Sequence, residues 1–306
     1  MTSDLPKPWI REERLRGDAS TRSYARLWDN QGDTAILVRY PRVDRLRLAR
    51  DLEVRDWCSR HGLRVPAVID HYTEGGWAVL EDFGETDVEQ DITAAAVEDR
   101  MVLGMRTIGP LVTLADLGPE SLPKWNAPLD RARLRWELSG FELWYIRHHR
   151  AENPSPCVGD WLDQLARAIN GHPRRVCHRD YHLNNLFFVD AGVVGLIDFQ
   201  DLLVGPDTYD AVSLLGERAM PLVLGNDERD LIRRAWAERT GAAAGWTDRW
   251  RLVRIQRGLK VLGTFARLAA TGAQDYGLWM EALARDLSPV LAAADAPREL
   301  VELVSS

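Results

Sequence analysis

The chain has 306 residues, of which 45% are hydrophobic and 28% charged, so it can bury a large core as one domain or as two lobes. Its net charge of -7 excludes a generally basic surface of the kind that binds nucleic acid or anionic membranes. Because Met1–Ile10 contains no apolar leader and no apolar run is long enough to span a bilayer, the sequence predicts a cytosolic protein. Three cysteines without metal-ligand spacing are typical of reduced thiols that take no part in catalysis: Cys58, Cys157 and Cys177.

Residues 1–84 have the pattern of a small antiparallel sheet. A bend of small and polar residues over 17–26 leads into one strand, and Thr34–Tyr40 forms the next strand after a turn. Backbone N–H groups in such a bend can approach nucleotide phosphates closely, which makes Ser20 a candidate nucleotide contact. Because the bend holds a single glycine, an ordinary β-turn explains it equally well.

The helix predicted over Arg45–His61 is closed by Gly62 and carries Glu53. Where such a lobe binds a nucleotide, a helix carboxylate can pair with a strand cation that binds the phosphates, and this cation is ordinarily lysine. The Thr34–Tyr40 strand offers Arg39 instead, so we predict that Glu53 points inward and pairs with Arg39. The alternative is that both side chains are exposed to solvent.

A second hairpin, formed by Val65–His71 and Trp77–Leu80, completes the predicted sheet. The chain leaves it through Glu81-Asp82-Phe83-Gly84, and a glycine after an edge strand suits a hinge between two lobes. Backbone groups at a hinge can bond the edge of a purine, so Glu81 and Phe83 are candidate nucleotide contacts. A nucleotide-binding lobe with its hinge is therefore predicted over 1–84.

From Thr93 onward apolar residues recur at helical spacing, and Leu117–Pro128 is a proline-rich loop. Residues 85–306 are therefore predicted to form a larger, mostly helical lobe that carries a catalytic hairpin and the substrate site. The fold class that this order of elements predicts is α+β, with two lobes and with a small antiparallel sheet and one main helix in the N-terminal lobe.

The segment Arg175–Leu215 places polar residues at the ends of two apolar, strand-like runs. Asp180 lies in a His-Arg-Asp triplet, Asn185 follows it, and Asp198 comes directly after the second run. This spacing predicts phosphoryl transfer, in which Asp180 accepts the proton of the attacking hydroxyl while Asn185 and Asp198 hold Mg²⁺ on the nucleotide phosphates. A triplet alone is usually a surface loop. Asn185 and Asp198 at these offsets favour a catalytic site over a surface loop. The carboxylates of Asp180 and Asp198 would repel each other in such a site unless a cation lay between them.

Residues beside the catalytic triplet are candidates for binding the reactants. Arg179 either stabilises transferred charge or braces the loop. The side chains predicted to contact hydroxyl or acetamido groups of the substrate are His182, Gln200 and Asp201.

Two features follow the catalytic segment. Asp210, near the start of a helix, either braces the catalytic loop or is a simple cap. Arg257 and Lys260 share one face of the helix predicted over Trp250–Ala270, where a cation meets either an anionic substrate group or solvent.

The sequence resembles the aminoglycoside-phosphotransferase and choline-kinase superfamily over nearly the whole chain, which implies a bilobal protein-kinase-like fold. Within it, six stretches resemble the bacterial N-acetylmuramate/N-acetylglucosamine anomeric kinases: residues 17–24, 80–84, 178–182, 197–201, 205–210 and 259–268. The catalytic residues are specific for the superfamily, whereas Asp-Phe-Gln-Asp at 198–201 and Leu-Lys-Val-Leu-Gly at 259–263 point to the subgroup. The strand lysine and a glycine-rich loop are both missing here.

This resemblance implies ATP-dependent phosphorylation of the C1 hydroxyl of an N-acetylated amino sugar in peptidoglycan recycling. It implies ATP and Mg²⁺ as donor and cofactor, with Asp180 as the base and with Asn185 and Asp198 on the metal. No nucleic acid, membrane or obligate protein partner is expected. Alternatives are a phosphotransferase for an aminoglycoside, choline, a hydroxylated amino acid or another sugar, and a nucleotide-binding pseudokinase.

Overall fold

The strands of the N-terminal part form one antiparallel sheet. A computed structural model describes residues 8–15, 21–190, 192–217, 219–272 and 276–305. The sheet has the order β1-β2-β3-β5-β4. Its strands are β1 Arg11–Arg14, β2 Ser23–Trp28, β3 Thr34–Arg39, β4 Val68–Tyr72 and β5 Trp77–Glu81.

Side chains alternate between the two faces of this sheet, because successive residues of a strand point to opposite sides. One face packs against the helix α1, Arg45–Arg60, and contains Val38, Tyr40 and Leu48 in a single buried cluster. The other face contains a separate buried cluster that includes Leu37 of β3. Neighbouring residues of β3 therefore lie on opposite faces.

Two further pairs of strands are antiparallel. The first joins β6, Arg174–Cys177, to β9, Leu203–Pro206. The second is the hairpin of β7, Leu186–Phe188, and β8, Val194–Leu196.

The remaining secondary structure is helical. A π-helix over Phe141–His149 follows directly on α5. The helices after α1 are α2 Val88–Ala94, α3 Val97–Arg106, α4 Gly109–Asp116, α5 Arg131–Gly140, α6 Pro156–Asn170, α7 Tyr209–Gly216, α8 Met220–Val223, α9 Asn226–Arg239, α10 Trp246–Ala270, α11 Tyr276–Ala292 and α12 Arg298–Ser305. These observations confirm the predicted α+β class with an antiparallel N-terminal sheet and a helical C-terminal part.

The chain divides into two compact units. Unit 1 comprises Met1–Asp91 and Asn184–Gln200, and unit 2 comprises Ile92–Leu183 and Asp201–Ser306, as far as these ranges are described. Unit 1 thus includes the β7–β8 hairpin. Leu196 donates its backbone N–H to the carbonyl of Arg64 at 2.7 Å, which fastens the hairpin to the first segment of its unit.

Close backbone packing marks the centre of unit 2, where α10 packs against the π-helix. A Cβ atom added to Gly263 of α10 would lie 2.6 Å from the backbone nitrogen of Phe141. Only glycine allows so close an approach.

Cys58 and Cys177 are buried, Cys157 is exposed, and all three are unbridged, as the sequence predicts. Among the described residues, none of the helices has the length and apolarity needed to cross a membrane.

Candidate active site

The candidate metal ligands lie on the β7–β8 hairpin of unit 1. The backbone N–H of Ile197 donates to the carbonyl of Asn185 at 3.0 Å, so the residue before Asp198 is bonded directly to Asn185. Asn185 is 8% exposed, whereas the side chain of Asp198 is 40% exposed. Gln200 donates to Oδ1 of Asp198 at 2.6 Å. Asp198 also has a φ of 59°, a left-handed conformation that non-glycine residues seldom adopt outside functional sites.

These donors fit a magnesium ion. Mg²⁺ prefers oxygen ligands and is ordinarily held by one or two protein carboxylates together with phosphate oxygens and water. Asn185 offers an amide oxygen and Asp198 a partly exposed carboxylate.

A buried cluster of charges extends from Asp198 to α1. The guanidinium group of Arg22 lies 3.3 Å from Oδ1 of Asp198 and 3.5 Å from Oδ2 of Asp51. Tyr40 donates its hydroxyl to the same Oδ2 at 2.8 Å. Burial raises the pKa of Asp51, and the hydrogen bond from Tyr40 and the charge of Arg22 oppose that shift.

The predicted pairing of Arg39 with Glu53 is wrong. Both terminal nitrogens of Arg39 donate to the carboxylate of Glu12 on β1, which lowers the pKa of Glu12. The reason is strand alternation: Val38 points to the α1 face of the sheet, so its neighbour Arg39 points away from that helix. Glu53 is exposed on α1, and the buried carboxylate of that helix is Asp51.

The two candidates at the end of β5 have well-defined partners within unit 1. The Glu81 carboxylate accepts hydrogen bonds from the guanidinium group of Arg64, at 2.5 and 2.8 Å, and from the backbone N–H of Ala67 at 3.0 Å. The hydrogen bond from Arg64 lowers the pKa of Glu81. Phe83 contacts the ring of Phe187 at a centroid distance of 5.9 Å. Their predicted roles in nucleotide binding remain predictions, and Ser20 lies outside the described residues.

In unit 2 the catalytic loop is fixed through its backbone. The carboxylate of Asp210 accepts hydrogen bonds from the backbone N–H groups of His178, at 2.5 Å, and Arg179, at 2.9 Å. Asp210 therefore braces the loop, which is the first of the two roles predicted for it. Arg179 has a φ of 81°, and its side chain lies 3.2 Å from Oδ2 of Asp201.

Asp180 is surrounded by positive charge. The ammonium group of Lys260 lies 3.8 Å from its Oδ1, and the side chains of Asp180 and Lys260 are 29% and 20% exposed. Burial by itself raises the pKa of Asp180, but the charges of Lys260, Arg257 and Arg179 outweigh burial and hold that pKa far below its usual range. Asp180 therefore stays ionised at neutral pH. His182, which also contributes to this lowering, donates its backbone N–H to the carbonyl of Asp180 at 3.1 Å.

The structure buries Arg257, which the sequence offered as a cation for an anionic substrate group. Its side chain is 2% exposed and donates to Glu217 at 2.6 Å, to the hydroxyl of Ser213 at 2.8 Å and to the carbonyl of Arg179 at 2.9 Å. The charge of Glu217 neutralises that of Arg257. Because Arg257 also donates to the carbonyl of Arg179, it stabilises the backbone of the catalytic loop. Lys260 is the more exposed of the two cations.

Sequence reasoning missed Arg22, Asp51 and Glu217. The alternation of β3 contains a signal for Asp51, because it directs Tyr40 toward α1. Glu217 lies 40 residues from Arg257, and local pattern does not predict a pairing over that separation.

Comparisons with known proteins place these residues in a family context. The family model described as "APH: Phosphotransferase enzyme family" matches residues 11–255. The chain is 29% identical over 269 residues to the N-acetylmuramate/N-acetylglucosamine kinase of Neisseria meningitidis serogroup B, covering 82% of this chain and 76% of that protein. It is 26% identical over 302 residues to the protein of the same name from Caulobacter vibrioides, with coverages of 85% and 81%.

Solved structures share the fold at lower identity. The choline kinase LicA from Streptococcus pneumoniae superposes with a TM-score of 0.62 at 15% identity, covering 92% of this chain and 94% of that one. An aminoglycoside-3'-phosphotransferase of type VIII gives a TM-score of 0.59 at 18% identity, with coverages of 82% and 93%.

Proposed function

This chain belongs to the APH phosphotransferase enzyme family, and we propose that it phosphorylates the anomeric hydroxyl of N-acetylmuramate or N-acetylglucosamine with ATP. The observation that carries this proposal is the similarity, over 82% of the chain, to a relative named for kinase activity on these two sugars. The acceptor class is taken from that name. The roles of individual residues are argued from the site.

Asp180 is the residue that accepts the proton. As the C1 oxygen of the sugar forms its bond to the γ-phosphorus, the bond from that phosphorus to the bridging oxygen of ADP breaks, and the hydroxyl proton passes to Asp180. Positive charge holds the pKa of Asp180 low, so it is a weak base that orients the hydroxyl and takes the proton late. An anomeric hydroxyl suits such a base, because it is more acidic than an ordinary alcohol.

Asn185 and Asp198 are the residues that hold Mg²⁺, which neutralises phosphate charge in this class of reaction. The chain's own contribution is orientation. Gln200 fixes one oxygen of Asp198, and Asp210 fixes the backbone on which Asp180 stands. Positioning of this kind supplies much of the rate enhancement in phosphoryl transfer.

Lys260 is the cation we assign to the acceptor side. A muramate acceptor carries a lactyl carboxylate that an acetylglucosamine acceptor lacks. The side chain of Lys260 is 20% exposed, whereas Arg257 is buried and neutralised by Glu217. His182 and Asp201 remain candidates for the sugar hydroxyl and acetamido groups.

The test is a product analysis. The protein is incubated with ATP, Mg²⁺ and a panel of N-acetylated sugars, aminoglycosides and choline, and ³¹P NMR locates the transferred phosphate. We expect a sugar 1-phosphate. Phosphate on an antibiotic or on choline would refute the acceptor, and nucleotide binding without any product would refute the enzyme assignment.

A variant pair tests the base. Asp180→Asn is expected to lower kcat by at least about 100-fold while the affinity for ATP stays within about threefold, since proton transfer by a positioned side chain is typically worth this much. The control is Asp248→Asn, which removes an aspartate that is 74% exposed. Turnover of Asp180→Asn close to that of the control would refute the role of Asp180.

A further inference from the structure

Strand β3 lacks the lysine that usually binds the nucleotide phosphates in kinases. The one cation of its sequence, Arg39, is engaged by Glu12 on the sheet face away from α1. A kinase without such a cation would leave phosphate charge to the metal alone. We therefore expect another cation near Asp198 to bind the phosphates.

We propose that Arg22 is the cation that binds the nucleotide phosphates and that Asp51 of α1 positions it. This inference rests on the proposed use of ATP, because it assigns a phosphate ligand within that same site.

Arg22 lies close to a candidate metal ligand. The Nη2 atom of Arg22 lies 3.3 Å from Oδ1 of Asp198, and both residues belong to unit 1. A magnesium ion held by Asp198 would also bind phosphate oxygens, so a guanidinium group in contact with Asp198 would be within reach of the same phosphates. Guanidinium groups bind phosphate through two parallel hydrogen bonds, which gives orientation as well as charge.

Asp51 of α1 holds the guanidinium group of Arg22 in place. Asp51 is 8% exposed, and its Oδ2 atom lies 3.5 Å from Nη1 of Arg22 while accepting the hydroxyl of Tyr40 at 2.8 Å. The side chain of Arg22 is itself 15% exposed. A buried carboxylate with a second donor behind it restricts where the guanidinium group can lie. Asp51 therefore stands where the helix carboxylate of a kinase orients its lysine, although α1 presents it two residues before Glu53.

The residue spacing explains the exchange of roles. Two residues along an α-helix correspond to a rotation of about 200°, so Asp51 and Glu53 face nearly opposite directions. Asp51 faces the cluster with Tyr40, and Glu53 faces solvent. Arg22, and not Arg39, is then the cation that binds the nucleotide phosphates.

Calorimetry on the full chain tests the proposal by measuring the dissociation constants of ATP, ADP and adenosine, each with Mg²⁺ and with EDTA. Arg22→Gln is expected to weaken ATP and ADP by about tenfold to hundredfold, in line with the loss of charge-assisted hydrogen bonds, and to leave adenosine within about twofold. The loss should persist in EDTA, since Arg22 would contact phosphate directly. Arg22→Lys should fall between, because it keeps the charge and loses the planar fork.

Arg39→Gln is the matched control, an arginine of the same sheet on the opposite face, and should leave all three constants within about twofold. Unchanged ATP affinity in Arg22→Gln, or an equal loss for adenosine, would overturn the inference while the proposed function stands. Failure of the unmodified protein to bind ATP or ADP would overturn both.

The role of Asp51 needs a separate readout. In the wild-type protein, Asp51→Asn should weaken the binding of ATP more than the binding of adenosine. In the Arg22→Gln variant the same substitution should leave the ratio of the two dissociation constants unchanged, since Asp51 acts through Arg22. A purely structural Asp51 would lower the urea midpoint without moving the ratio of the two affinities. That result would remove Asp51 from the assignment.

Discussion

The buried pair of Arg257 and Glu217 permits a sharp test of how unit 2 is stabilised. Arg257 is 2% exposed and Glu217 11% exposed, and their closest atoms are 2.6 Å apart. Glu217→Gln removes the negative charge and keeps the shape, so it leaves a buried guanidinium group without a counter-charge. Removing one partner of such a pair costs about 3–5 kcal/mol, and because glutamine still offers one acceptor oxygen to Arg257 we expect a loss of about 3 kcal/mol.

The assay is urea denaturation followed by tryptophan fluorescence at neutral pH. Glu302→Gln is the matched control, because Glu302 and its partner Arg298 are 62% and 91% exposed and such a pair is worth at most about 0.5 kcal/mol. The double variant Arg257→Met with Glu217→Leu should lose less stability than Glu217→Gln, since it buries no charge.

The stability lost in the Glu217→Gln variant should depend on pH. Burial raises the pKa of Glu217, but the charge of Arg257 outweighs burial and the pKa is lowered. A lowered carboxylate pKa contributes stability above the ordinary glutamate pKa, and that contribution is lost as the pH falls through the lowered value. The stability difference between wild type and Glu217→Gln should therefore shrink below about pH 4. A loss below about 1 kcal/mol at neutral pH, similar to that of Glu302→Gln, would refute the reasoning.

Three further predictions concern other parts of unit 2. Burial lowers the pKa of His172 to about 4, against the opposing charge of Asp207, so protonation of His172 should cost the folded state about 3 kcal/mol as the pH falls from about 6.5 to about 4; free energies of unfolding from urea denaturation across this range should fall less in His172→Gln than in wild type by that amount. Asp210→Asn replaces one acceptor of the catalytic-loop N–H groups with a donor, and steady-state kinetics should show kcat lowered by about 100-fold with the ATP dissociation constant unchanged. Gly263→Ala places a Cβ atom 2.6 Å from the backbone nitrogen of Phe141 and should cost about 1–3 kcal/mol by urea denaturation, whereas Gly109→Ala, whose Cβ would meet nothing within 4 Å, should cost nothing.

Local patterns predicted the sheet and its helix closely. The Thr34–Tyr40 run is β3, Thr34–Arg39, and the predicted Arg45–His61 helix is α1, Arg45–Arg60. The strand is an apolar, β-branched run after a turn, and the helix is followed by Gly62, so local sequence contains both signals. The sequence did not predict the strand Arg11–Arg14, because Arg-Glu-Glu-Arg has no apolar alternation; its contacts include backbone pairing with β2 and the ion pair of Glu12 with Arg39.

The candidate site was predictable where spacing along the chain decides the chemistry. Asp180, Asn185 and Asp198 fall at fixed offsets, and their elements follow from the apolar runs beside them. The partners of charged side chains were not predictable in the same way. Arg22 lies 176 residues from Asp198 in the sequence, and the two side chains meet only because the β7–β8 hairpin packs in unit 1. Such contacts depend on tertiary packing, which local sequence patterns do not encode.

Unit 1 is built from two separated stretches of chain, and this has a consequence for biosynthesis. Arg64 receives the backbone N–H of Leu196, so the sheet-bearing unit is completed only by residues that the ribosome adds much later. A nascent chain that ends near Asp91 would lack the hairpin, so the carbonyl of Arg64 and the ring of Phe83 would be without their contacts to it. We therefore expect the amino-terminal fragment to need chaperone protection, and the unit to reach native stability only after Gln200 has left the exit tunnel.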